Sequence, residues 1–80
     1  MSDVYEQIVK VLSERFFVDV EVITPDSTVR DLDLDSLASV EMADVLEGVI
    51  GTSVDESAIA DRTLREIAEM LTAQLESANG

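Results

Sequence analysis

Apolar side chains fall at Val4, Ile8, Leu12 and Phe16, four positions apart along the start of the chain. That interval keeps one face of an α-helix toward the same neighbour, and Asp3 and Glu6 are spaced as a capping pair. The pattern predicts a helix from Asp3 to Phe16. The period is then lost. Val18, Val20, Val22 and Ile23 alternate like a short strand around Asp19 and Glu21, but no second alternating segment exists to pair with it. Pro25-Asp26-Ser27 is a turn signal that ends the run. Residues Phe17 to Asp35 therefore read as a long, ordered connection, a feature found more often in functional segments than in passive ones.

A second helix is predicted from Leu37 to Ile50, with Asp35 or Ser36 as its N-cap and Gly48 or Gly51 closing it. Val54 to Ala60 has room for one short helix. Thr63-Leu64-Arg65-Glu66 is a capping box opening a last helix, whose stripe is Leu64, Ile67, Ala68, Leu71 and Leu75. Glu76 to Gly80 is expected to fray. Together these elements predict an all-α fold: a small four-helix bundle of three main helices and one short one, with a long loop between the first two.

Placed about 100° apart around the axis, the residues of the second helix sort into two arcs. Ser39, Met42, Ala43, Leu46, Val49 and Ile50 form the expected core face. Leu37, Val40, Glu41, Asp44 and Glu47 lie opposite. Two apolar residues among three carboxylates on an outer face can be a plain solvated surface. The charge map favours a docking surface, because every charged residue from Asp31 to Asp61 is acidic, with Arg30 and Arg62 just outside. Like charges at helical spacing weaken a helix, so local stability gives no reason to gather them.

Composition sharpens this picture. The 80 residues read as one domain, 1–80, and the net charge is −13 with Lys10 the only lysine. Nucleic acid and anionic membranes are bound through Lys and Arg, so neither is an expected partner; basic protein surfaces are. With 46% apolar residues the chain has enough to bury to be a folded domain and not an acidic tail. Asp3 and Glu6 interrupt any signal-peptide core, no segment is long enough to span a bilayer, and a cytoplasmic location is expected. There is no cysteine and no histidine. Disulfides, thiolate zinc sites and histidine-based catalysis are thereby excluded.

The candidate chemistry lies in Arg30 to Met42, RDLDLDSLASVEM. Asp31, Asp33 and Asp35 match the first three ligand positions of a calcium loop, but Ser36 stands where glycine is needed and Met42 where a bidentate glutamate is needed. No metal site is assigned. An aspartyl-phosphate mechanism needs a parallel sheet that this chain is too short and too helical to build. As a nucleophile Ser36 lacks a base, Lys10 being the only side-chain amine. No catalytic residue is assigned. Ser36 is left with two readings, a helix N-cap or an accessible hydroxyl modified by another enzyme.

Asp35-Ser36-Leu37 followed by Val40-Glu41-Met42 resembles the D-S-L-x-x-V-E-L/M signature of acyl carrier proteins. Ile23 to Ser27, Asp31-Leu32, Leu46-Glu47 and Val54-Asp55-Glu56 also fall where that family has them, so the resemblance covers nearly the whole chain. It implies that a phosphopantetheinyl transferase moves 4'-phosphopantetheine from coenzyme A onto Ser36. The protein would then be a carrier and not an enzyme, with the cofactor supplying the thiol that holds acyl groups. It would serve acyl-loading, condensing and modifying enzymes of fatty-acid or polyketide-type synthesis. The resemblance further implies partner recognition through Asp35, Leu37, Val40, Glu41, Asp44 and Glu47, and an acyl-chain pocket near Ala43, Leu46, Val54, Ile59 and Ala68. Asp33 departs from the family's usual glycine, Ala38 from a frequent acid and Asp44 from a frequent apolar residue, and no proline stands between Val54 and Asp55. A freestanding, monomeric carrier is expected. The alternatives are a peptidyl or aminoacyl carrier, whose usual Gly-Gly before the modified serine is missing here, and an acidic interaction module without a prosthetic group.

Overall fold

The structure, a computed structural model, describes residues 3–79. Four helices form the bundle: α1 (Asp3–Arg15), α2 (Ser36–Ile50), α3 (Glu56–Ala60) and α4 (Leu64–Asn79). No strand occurs among the described residues beyond an isolated antiparallel bridge between Thr28 and Thr63. The all-α bundle with one short helix agrees with the periodicity of the sequence.

Helix α1 packs against both α2 and α4, and α2 packs against α3. The core combines Val4, Ile8, Val11 and Leu12 of α1 with Met42, Ala43 and Leu46 of α2, Ile59 of α3, and Leu64, Ile67, Ala68 and Leu71 of α4. Each large side chain sealed there contributes ~1.5–3 kcal/mol relative to exposure. Ile23, Val29 and Val54, all from connecting segments, complete it.

The long connection is ordered by specific bonds. A single-turn 3-10 segment, Val20–Val22, replaces the strand-like alternation around Asp19 and Glu21, and a second, Arg30–Leu32, follows later in the connection. Val20 and Val22 are exposed, so that alternation served no sheet. Between the turns the chain is tied to the start of α4. Ser27 O accepts from Leu64 N and Pro25 O from Arg65 N, both at 2.9 Å, and the Arg65 guanidinium meets Asp26 at 2.9 Å.

Several expectations are corrected. Helix α1 ends at Arg15, one residue before Phe16, and α2 begins at Ser36 instead of Leu37. Gly51 closes α2 with a φ of 86°, while Gly48 lies within the helix. The short helix expected within Val54 to Ala60 is present as α3, with Asp55 as its cap. Helix α4 continues to Asn79 instead of fraying from Glu76; Gly80 lies outside the described residues. Val49, assigned to the core face, is 45% exposed. It borders a surface groove beside Gln7, Lys10 and Val11, because α1 leaves that end of α2 partly uncovered.

Candidate functional site

The approach to Ser36 is built from short-range hydrogen bonds. Thr28 and Asp31 bond reciprocally across the start of the second 3-10 turn: Thr28 N donates to Asp31 Oδ2 at 3.0 Å, and Asp31 N donates to Thr28 Oγ1 at 3.1 Å. Asp33 ends that turn at φ 61° and ψ 27°, in the left-handed region. Glycine takes that region most easily and aspartate better than most other residues, which gives a backbone reason for the family's glycine here. Leu34 then anchors the chain, half-buried against the core, with its N–H on Val29 O at 3.3 Å.

Asp35 is the N-cap of α2. Its extended backbone stops the helix, and its Oδ1 accepts from Ala38 N at 2.8 Å. The reading of Ser36 as N-cap is thereby corrected. Ser36 is the first helical residue, exposed, and its Oγ makes no hydrogen bond with the described residues. The backbone N–H groups of Ser36 and Leu37 likewise have no partner among the described residues, since Asp35 serves only those of Ala38 and Ser39. The three aspartates of the approach thus have separate local roles in turn and cap. No group of three or more His, Cys, Asp or Glu side chains converges among the described residues in a way that could hold a metal ion.

A small cleft of about 80 Å³ opens beside the hydroxyl, lined by Val29, Arg30, Leu34, Asp35, Ser36, Ser39 and Ala60. A free hydroxyl, free N–H donors at the positive end of a 15-residue helix and an adjacent cleft suit a serine that carries a phosphate ester. The donor set therefore fits phosphopantetheine attachment. Arg30, Val29 and Ala60 of this cleft were not singled out from the sequence. The only signal for Arg30 was its place as the last base before the acidic run.

The outer face of α2 matches the expected arc. Leu37 and Val40 are 65% and 39% exposed, and Asp35, Glu41, Asp44 and Glu47 are exposed and make no ion pair among the described residues. Ala43, Leu46, Val54, Ile59 and Ala68 are all buried in the common core. They share one packed interior, and the cleft beside Ser36 is lined by none of them.

Comparison with known proteins gives two findings. Residues 6–71 match the family described as phosphopantetheine attachment site. The chain is also 37% identical over 57 residues to an acyl carrier protein of Saccharopolyspora erythraea, an alignment that takes in 70% of this chain and 60% of that protein. No helix among the described residues is long and apolar enough to cross a membrane.

Proposed function

Since the chain belongs to the acyl carrier protein family, whose prosthetic group is 4'-phosphopantetheine, we propose that Ser36 is its attachment point. The reading rests above all on one observation: Ser36 Oγ opens α2 without serving as its cap. The hydroxyl attacks the phosphorus of coenzyme A that bears the pantetheine arm. A new Oγ–P bond forms, the pyrophosphate P–O bond breaks, adenosine 3',5'-bisphosphate leaves, and a base of the transferase takes the hydroxyl proton. The bound group supplies a terminal thiol that holds an acyl group as a thioester.

The chain's own residues do the rest. Asp35 fixes the first turn of α2 so that the hydroxyl faces solvent. The free N–H groups of Ser36 and Leu37 favour the negative charge that the ester brings. Leu37 and Val40 serve as apolar anchors for partner enzymes, and Asp35, Glu41, Asp44 and Glu47 as the acidic rim that selects basic docking surfaces. The partners fitting this surface are the transferase and the loading, condensing and modifying enzymes of fatty-acid or polyketide-type synthesis. An acyl chain entering the bundle parts α2 from α3, at Ala43, Leu46 and Ile59.

Intact mass after incubation with coenzyme A, magnesium and a broad-specificity transferase tests the assignment. The expected result is a gain of one phosphopantetheine that is lost in Ser36→Ala. A Ser36→Ala variant that still gains the arm refutes it. Glu41→Lys with Glu47→Lys is expected to slow loading and to flatten its dependence on salt, because both measure charge pairing at the docking face.

A further inference from the structure

Arg30 borders two clefts. On one side lies the cleft that holds Ser36, in which Arg30 is the only base. On the other lies a cleft of about 130 Å³ formed by Thr28, Arg30, Ala60 and Asp61. The guanidinium is turned to the second side, where it meets Asp61 Oδ1 at 3.4 Å. This pair is long for a charge-assisted hydrogen bond, and both side chains are about four-fifths exposed, at 80% and 79%. Pairs of that kind hold their partners weakly. A phosphodiester offers a guanidinium two oxygens in a geometry that matches its fork.

We propose that Arg30 is a positioning residue which leaves Asp61 when Ser36 is loaded and pairs with the phosphate of the attached group. The inference rests on Ser36 as the attachment point. The acids in the approach, Asp31, Asp33 and Asp35, repel a phosphate on Ser36, and Arg30 is the base placed to offset them.

The test is NMR of the apo and loaded forms, observing the Arg30 side-chain Nε–H and the phosphorus resonance of the loaded form. Intact mass of each sample reports loading independently. Three results are expected. Loading shifts the Arg30 resonance. Asp61→Asn shifts it in the apo form but not in the loaded form. Arg30→Gln moves the phosphorus resonance, whereas Arg62→Gln, which alters a base outside both clefts, does not. An Arg30 resonance that ignores loading, with Asp61→Asn felt equally in both forms, overturns the proposal while leaving the attachment reading intact. A mass that shows no arm on wild-type protein overturns the attachment reading, and this inference with it.

Discussion

Two helices in this molecule begin in opposite ways. At the start of α4 every early donor is engaged. Leu64 and Arg65 N–H bond to carbonyls of the long connection, Glu66 N–H bonds to Thr63 Oγ1 at 3.2 Å, and Glu66 Oε1 accepts in return from Thr63 N at 2.9 Å. At the start of α2 one aspartate caps Ala38, while the N–H groups of Ser36 and Leu37 and the Ser36 hydroxyl have no hydrogen-bond partner among the described residues. Thr63 and Ser36 are both hydroxyl residues at helix starts inside the same fold. One is used up in holding the structure and the other is left free for chemistry. A hydroxyl that the fold does not need is one that another enzyme can take without unfolding the carrier.

Substitutions should expose this difference, beginning with the largest effect on stability. Thr63→Ala opens the closed start and is expected to cost about 1–2 kcal/mol, lowering the thermal midpoint by about 4–8 °C per kcal/mol. Loading of Ser36 should survive it, which a melting curve beside an intact mass would check. Asp35→Ala should cost somewhat less, about 0.5–1 kcal/mol, because losing a charge near Asp31 and Asp33 relieves repulsion. Asp35→Asn should restore most of that, since asparagine caps as well. If Asn and Ala melt together, Asp35 is not acting as a cap.

The pH response of the closed start has a definite sign. Glu66 is held below the usual carboxylate range by the Thr63 backbone N–H first and the Thr63 hydroxyl second. A lowered folded value means that the contribution is complete above the pH where an unfolded glutamate titrates. It is lost as pH falls through the lower, folded value. The stability gap between wild type and Glu66→Gln should therefore be present at neutral pH and shrink on acidification. A gap that widens in acid would contradict the reciprocal cap. Smallest of all, Ser36→Ala should change stability by no more than about 0.5 kcal/mol, since its hydroxyl bonds to none of the described residues. A loss as large as that of Thr63→Ala would mean that Ser36 is structural after all.

Much of this was legible along the chain. The four-residue interval of Val4, Ile8 and Leu12 placed α1, and the Thr63–Glu66 pair placed the start of α4, because both signals are local. The two arcs of α2 were legible for Leu37, Val40 and Met42 for the same reason. Val49 was not. A helical wheel gives the direction of a side chain but not whether a neighbour reaches it, and Val49 borders an open groove alongside α1. The choice between Asp35 and Ser36 as cap also stayed open in the sequence, since either residue type can cap and only backbone geometry decides. Asp33 was legible only as a departure from a usual glycine; its positive φ shows that the position needs a residue tolerant of the left-handed region. The pairing of Arg30 with Asp61 joins residues far apart in sequence, and no local pattern announces it.

We infer from the open start of α2 that Ser36 is the attachment point. Fragmentation mass spectrometry of the loaded protein tests it most directly, because it locates the added mass on a single side chain. The phosphopantetheine is expected on Ser36 alone, with Ser39, Ser57 and Thr63 unmodified. The arm on any of those three, whose hydroxyls the fold already uses, would contradict it.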